Sequence, residues 1–155
     1  MSQEEGVYLE SLPEWQPFIA AGQGWDREHL QMLFSGRPHP KKRPRFGQGG
    51  AFDAPANREA EGKILQQFYA QCTDYWSERL PFIGKVYLHL TFGFNGHDNN
   101  ADLDNLIKTV CDALNGALWA DDSQIVRISA EKYDAQEDFT LMRVELFQPV
   151  PGKRT

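Results

Sequence analysis

The sequence has little cysteine, no long apolar run and no internal repeat. Its two cysteines, Cys72 and Cys111, are far apart and lack C-x-x-C spacing, which argues against a zinc knuckle and a disulfide scaffold. No run approaches the roughly 18 apolar residues of a membrane span, and the N-terminus lacks the basic and apolar parts of a signal peptide. We therefore expect one cytoplasmic domain without a membrane partner, and both cysteines as small core residues.

Positive charge is also scarce overall, but it is unevenly distributed. The net charge is −6, which by itself argues against a nonspecific nucleic-acid binder. Residues 1–30 hold six acids and one base, however, so the rest of the chain is nearly neutral. The string RPHPKKRPR at residues 37–45 holds five positive charges and no acid. A local basic segment of this kind can bind phosphates whatever the total charge.

The hydrophobic pattern predicts an α+β domain with two helices packed on a mixed sheet. The order is strand, long basic loop, helix, strand, helix, strand, strand. The predicted strands are 29–34, 85–94, 123–133 and 138–148, and the predicted helices are 55–80 and a second helix that begins near Asp102. We expect the last two strands to form an antiparallel hairpin through the turn DAQE, and the prolines and glycines of residues 36–50 to prevent regular structure there.

These patterns divide the chain into three parts. Residues 1–29 form an irregular acidic arm, residues 30–149 the folded domain, and residues 150–155 a solvated tail. The arm has three open interpretations: a solubilising tail, a lid that competes for the basic loop, or a partner-binding segment that uses Trp15 and Trp25.

Acidic residues are densest around the second helix. The segment 102–122 contains five aspartates and one lysine, and positions 104, 108 and 112 share one helix face. Several carboxylates without Cys or His suit a hard cation such as Mg²⁺. The alternative is purely structural, with helix capping, dipole stabilisation and a turn. The aspartates are Asp102, Asp104, Asp112, Asp121 and Asp122, and the lysine is Lys108.

Three blocks in this region carry a family resemblance. D-L-D-N-L-I-K at 102–108, D-A-L-N-G at 112–116 and W-x-D-D-S-Q-I at 119–125 strongly resemble the RusA family of Holliday junction resolvases. The string F-S-G-R-P-H-P-K-K-R-P-R-F at 34–46 is similar to that family's amino-terminal strand and basic loop. The resemblance covers about residues 31–149, and the first 30 residues have no counterpart.

The resemblance implies a Mg²⁺-dependent endonuclease that acts on four-way DNA junctions as a homodimer, in DNA recombination or repair. It assigns catalysis to Asp102, Asp104, Lys108 and Asp122, and metal binding to the three aspartates of that set. Asn105, Asp112 and Asp121 are implied to support them. The proposed phosphate contacts are Arg37, Lys41, Lys42, Arg43 and Arg45, with Phe46 or Phe52 as residues that could stack at a branch.

Three other functions remain open from the residues alone. The chain could be a non-cleaving module that binds branched DNA, a less selective nuclease that cuts flaps and forks, or a Mg²⁺-dependent nucleotide phosphohydrolase. The last is disfavoured because no G-x-x-x-x-G-K phosphate loop is present.

Overall fold

The computed structural model describes residues 25–43, 45–47, 50–52, 54–96 and 100–149. The predictions for residues 1–24 and for the tail at 150–155 lie outside the described residues. The strands are β1 (Trp25–Ser35), β2 (Arg45–Gly47), β3 (Gly50–Phe52), β4 (Lys85–Phe94), β5 (Ile125–Asp134) and β6 (Phe139–Pro149). The helices are α1 (Pro55–Gln71), α2 (Asp74–Ser77) and α3 (Leu103–Leu114), followed by a 3-10 turn at Asp122–Gln124.

The main sheet has four strands in the order β1-β6-β4-β5, and this mixed arrangement confirms the predicted α+β architecture. Strand β4 pairs parallel with β5 and antiparallel with β6, while β1 pairs antiparallel with β6. The alternate residues Val86, Leu88, Leu90 and Phe92 are buried in the core with α3, as their spacing predicts. Within the described ranges, no helix is long and apolar enough to cross a membrane.

The predicted hairpin of the last two strands is wrong, because β4 lies between β5 and β6. β4 is buried along most of its length, so it takes the central position and needs a partner on each edge. The connection from β5 to β6 instead crosses the end of β4. There, the Ala135 N–H donates to the Phe94 carbonyl at 2.8 Å, and the Asn95 N–H donates to Asp138 Oδ1 at 2.8 Å.

Other boundaries also differ from the prediction. β1 begins at Trp25, before the predicted start at His29. The first helix ends at Gln71 instead of at Leu80, because Cys72 and Thr73 are extended and Thr73 is the N-cap residue of the short helix α2. The basic loop is not irregular throughout, since residues 45–47 pair with 50–52 in a small antiparallel ribbon. The prolines of the loop all precede this ribbon, so they leave its hydrogen bonds intact.

α3 is shorter than its apolar stripe, which runs to Leu118. The helix ends at Leu114, and Gly116 has φ +88°, a left-handed conformation that favours glycine. Leu118 and Trp119 are nevertheless fully buried. The chain therefore turns back on the helix end and carries the next acidic block toward the sheet.

Candidate active site

The basic segment, which we define as residues 37–43, is held in place by a buried asparagine of α1. Asn57 has no exposed surface. Its Nδ2 donates to the Lys42 carbonyl at 2.9 Å, and its Oδ1 accepts from the Lys42 N–H at 2.9 Å. His39 Nε2 also lies 2.8 Å from Asn57 Oδ1. The path of this proline-rich segment is thus fixed by its backbone.

Lys41 fastens the same segment to α3. Its N–H donates to the Asn105 carbonyl at 2.9 Å, and its Nζ donates to Glu61 Oε2 at 2.6 Å and lies 3.0 Å from Asp112 Oδ2. Burial alone would lower the pKa of Lys41, but the hydrogen bonds and charges of Glu61 and Asp112 outweigh it and raise that pKa. Lys41 therefore stays protonated as the bridge between α1 and α3.

The five predicted phosphate contacts consequently differ in their surroundings. The Lys41 side chain is only 18% exposed and is committed to two carboxylates. Lys42 and Arg43 are exposed, and the Arg37 side chain is 41% exposed. Arg45 is the first residue of β2. Lys42 and Arg43 are thus better placed than Lys41 to meet a ligand in solvent.

Asp102 and Asp104 lie at the start of α3. Asp102 occupies the N-cap position, but its side chain makes no capping hydrogen bond. Asp104 is in the first turn and accepts from the Asn105 N–H at 2.9 Å. Asn105 thus contributes backbone groups to both Asp104 and Lys41. Both aspartates are exposed, so their carboxylates are accessible to a ligand in solvent.

The predicted face of α3 is present. Lys108 Nζ lies 3.6 Å from Asp112 Oδ1, one turn along the helix. Asp112 thus lies between Lys108 and the partly buried Lys41. The Lys108 side chain is 61% exposed, so its ammonium can also reach a bound ligand. Asp112 therefore connects α3 to the basic segment through Lys41.

The W-x-D-D block is organised around a buried indole. Trp119 has no exposed surface, and its Nε1 donates to Asp122 Oδ1 at 2.6 Å. Asp121 caps the 3-10 turn by accepting from the Ser123 N–H at 2.9 Å. Hydrogen bonds with the side chain and the backbone of Ser123 lower the pKa of Asp121. The two adjacent aspartates thus have different surroundings: Asp121 holds the turn, and Asp122 is oriented by Trp119.

Gln124 completes this turn and fastens it to the sheet. Its Oε1 accepts from the Asp121 N–H at 2.8 Å, which closes a capping box. Its Nε2 donates to the carbonyls of Phe82 and Gly84, at 2.7 and 2.9 Å. The S-Q of the motif is therefore structural, and it fixes the backbone that carries Asp122.

The pKa of the Cys111 thiol is affected by the charged residues around α3. This pKa is raised to about 12, mainly by burial and also by the negative charges of Asp122 and Asp112, while Lys108 acts in the opposite direction. Cys111 is buried and free, which agrees with its interpretation as a core residue.

The donor chemistry of this region fits Mg²⁺. Asp102, Asp104 and Asp122 supply only oxygen, and Asp122 retains an oxygen that Trp119 does not occupy. Among the described residues, no group of three His, Cys, Asp or Glu side chains is arranged to hold one metal ion. Mg²⁺ usually binds through one or two carboxylates, keeps several waters and takes the remainder from substrate phosphates. A complete protein cage is therefore not required.

Sequence reasoning missed Lys132. From β5, its Nζ donates to the Ala101 carbonyl at 2.8 Å, immediately before Asp102. The signal was present in the strand pattern, because Lys132 shares its side of β5 with Ile128 and Ala130. A lysine on the apolar side of a strand requires a polar partner, and here that partner is the backbone at the entrance to α3.

Asn57 and Glu61 were missed for a similar reason. At helical spacing they precede Ile64 and Phe68 on one face of α1, and Phe68 is buried. Polar residues on an apolar helix face must have partners when buried. Those partners are in the basic segment, and no feature of α1 alone predicts them.

The family model described as endodeoxyribonuclease RusA matches residues 35–146, nearly three quarters of the chain. The chain belongs to the RusA family. This confirms the family predicted from the acidic blocks. The matched region includes the basic segment and α3. A comparison with curated proteins gives no match. The RusA family is a nuclease family, so the chain is assigned to the hydrolases that cut DNA.

Proposed function

We propose that this protein is a Mg²⁺-dependent endonuclease that resolves four-way DNA junctions by paired, symmetric cuts. The observation that carries the proposal is the contact between the basic segment and α3. Lys41 makes this contact with Asn105 and Asp112. A nuclease must bring negatively charged phosphodiesters close to negatively charged carboxylates, which repel them. Nearby cations favour this approach because they attract the phosphates. Lys41 reduces this repulsion, because its positive charge lies between Asp112 and Glu61 while Lys42 and Arg43 remain exposed.

Each residue then has a chemical role. Lys42 and Arg43, with Arg37 and Arg45, bind the DNA backbone. Asp102, Asp104 and Asp122 hold Mg²⁺, which when bound supplies charge neutralisation at the phosphate and a more acidic water. Lys108 presents an ammonium to the charge that develops on the phosphate and on the leaving 3′ oxygen. Asp121, Asp112 and Asn105 keep these groups in position.

Two symmetric cuts require two sites related by a two-fold axis, so we propose a homodimer. Exposed apolar side chains support this proposal: Ile83 is 81% exposed, and Val126 and Ile128 on the edge strand β5 are also exposed. Sedimentation equilibrium should give twice the chain mass of 17.7 kDa. A monomer at the concentration at which junctions are cut would contradict the dimer.

The proposal is tested by incubating labelled four-way junction, flap, fork and linear duplex with the protein, in Mg²⁺ and in EDTA. We expect paired nicks in the junction only, and only with Mg²⁺. Binding without cutting would instead identify a non-cleaving branched-DNA module. Equal cutting of flaps or forks would identify a less selective nuclease, and release of phosphate from free nucleotides would identify a phosphohydrolase.

Removing the exposed cations of the basic segment should reduce the salt dependence of junction binding. Each lost phosphate contact lowers the slope of log K against log salt by about 0.9, so Lys42→Ala with Arg43→Ala should lower it by nearly two. Affinity is measured by fluorescence anisotropy over a salt series. Arg79→Ala is the control, because Arg79 stacks on Tyr75 beyond α1. An unchanged slope in the double variant would remove the basic segment from the DNA interface.

Lys132 should act as a positioning residue for Asp102. Lys132→Met removes the donor to the Ala101 carbonyl, and a small displacement of catalytic groups costs up to about 100-fold in rate. We expect slower junction cleavage and a higher Mg²⁺ concentration for half-maximal rate. Lys132→Arg, which keeps a donor, should recover part of both. If Lys132→Met lowers only the melting temperature and leaves the Mg²⁺ titration unchanged, the lysine is merely structural.

A further inference from the structure

A cavity of about 260 Å³ lies beside the basic segment, and the proposed reaction does not use it. α1 and α3 form two of its walls, and the ends of β1, β4 and β6 form its base. The basic segment closes one side through Arg37, Pro38 and His39. The basic segment therefore borders the cavity through its first three residues and contacts α3 through Lys41.

The lining of the cavity is apolar at its base and polar at specific points. Phe34, Phe92 and Val110 supply apolar surface. Thr109 and Thr140 are buried and line the cavity. The Thr109 hydroxyl donates to the Asn105 carbonyl at 3.3 Å, so its oxygen can still accept a hydrogen bond. The interior can therefore hold a flat apolar body that also has a hydrogen-bonding edge.

The mouth of the cavity carries cations. Arg37 lines it with a side chain that is 41% exposed, and Lys63 lines it with one that is 70% exposed. Each cation has an acidic neighbour: Glu59, at the rim, lies 3.7 Å from Lys63, and Asp138 lies 4.0 Å from Arg37. His39 adds a ring that is held toward Asn57. Because both cationic side chains are exposed, an anionic group attached to the body inside can reach them beside these carboxylates.

We propose that the cavity receives one unpaired nucleotide of the DNA strand at the branch, with its base inside and its phosphate at Arg37 and Lys63. The inference rests on the proposed function and adds a subsite that reads a base. The volume is just below the roughly 300–1,000 Å³ of pockets for drug-sized ligands, which suits a single ring system. Proteins that take a base out of the stack hold it through apolar contacts and hydrogen bonds to its edge.

The position of the subsite gives it a role in selecting the cleavage site. Thr109 lies one turn after Asn105 on α3, and Asn105 contacts both Asp104 and Lys41. A base held at Thr109 would thus fix the register of its strand relative to the carboxylates. Filling the cavity should reduce the preference for particular bases at the branch more than it reduces the basal rate.

The test uses two matched substitutions on α1. Ala60→Phe fills the cavity from its wall, whereas Ala70→Phe makes the same change at an exposed position that does not line it. Four-way junctions with 2-aminopurine at each branch position are bound to proteins that also carry Asp104→Asn, so the DNA stays intact. We expect one position to change fluorescence at least threefold with Ala70→Phe, and to lose most of that change with Ala60→Phe.

A second measurement uses the active proteins on a library of junctions that differ in the branch bases. Ala70→Phe should keep the wild-type order of cleavage rates, and Ala60→Phe should reduce the spread of those rates at least fivefold. Lys63→Glu, at an exposed side chain, should also weaken the fluorescence change. This variant keeps the test valid if Ala60→Phe proves poorly folded.

The outcomes separate the two proposals. If wild type cuts junctions but Ala60→Phe, folded by its melting curve, keeps both the signal and the rate order, the nucleotide subsite is overturned and the nuclease stands. An unchanged signal in Lys63→Glu would likewise overturn the placement of the phosphate at the rim. If wild type cuts no branched DNA, the proposed function itself fails, and the subsite fails with it.

Discussion

Asp104→Asn should slow cleavage of a four-way junction by roughly 100- to 1,000-fold while junction binding stays within about twofold. The substitution keeps the shape of the side chain but removes the charge that we propose for holding Mg²⁺, and metal-based charge stabilisation is worth several kcal/mol in a transition state. Binding persists because the basic segment supplies it and because the variant removes a negative charge near phosphates. The measurements are single-turnover cleavage and anisotropy.

Asp74→Asn is the matched control for this experiment. Asp74 is also an exposed aspartate in the first turn of a helix, but that helix is α2. The Asp74→Asn protein should cleave the junction at the wild-type rate. Cleavage by Asp104→Asn within tenfold of wild type would remove Asp104 from the catalytic set, and a parallel loss of binding would show that Asp104 holds the DNA-binding surface instead.

Asn57→Ala should have the largest effect on stability among the substitutions considered. It removes both hydrogen bonds to the Lys42 backbone and the contact with His39, and leaves buried polar groups without partners. Each such group costs about 1–3 kcal/mol, so we expect the free energy of unfolding to fall by roughly 2–4 kcal/mol. In a chain of this size, that corresponds to a melting temperature lower by about 10 °C.

Junction affinity should fall with Asn57→Ala even at temperatures where the protein is folded, because Lys42 and Arg43 lose their fixed position. Asn95→Ala, at an exposed asparagine, should change neither property. Anisotropy at 10 °C and thermal unfolding measure the two effects. Normal affinity in a folded Asn57→Ala protein would mean that the path of the basic segment does not matter for DNA binding.

Much of the fold follows from periodic patterns, and the errors have a common cause. The central strand β4 and helix α3 were predictable because their apolar residues recur at spacings of two and of three to four. Strand order was not, since the DAQE turn looks the same whether it joins neighbours or crosses a third strand. Only the burial of β4 on both sides decides between these, and burial depends on the whole fold.

In the candidate site, too, local sequence predicted which residues take part but not the contacts that they make. The D-L-D-N-L-I-K and W-x-D-D blocks identified the acidic residues, but not that Asp121 caps a turn while Asp122 accepts from Trp119. The basic string identified the cations, but not that Lys41 is internal. These distinctions arise from contacts between residues distant in sequence, such as Lys41 with Asp112, and no local pattern encodes them.

The two hydrogen bonds between Asn57 and Lys42 involve only main-chain atoms of the lysine. Any residue at position 42, other than proline, can offer the same N–H and carbonyl, so the scaffold does not depend on which side chain projects from it. Residues 42 and 43 can therefore diversify, or be engineered to bind a chosen polyanion, while the loop keeps its shape. Support and recognition are thus independently variable in this protein.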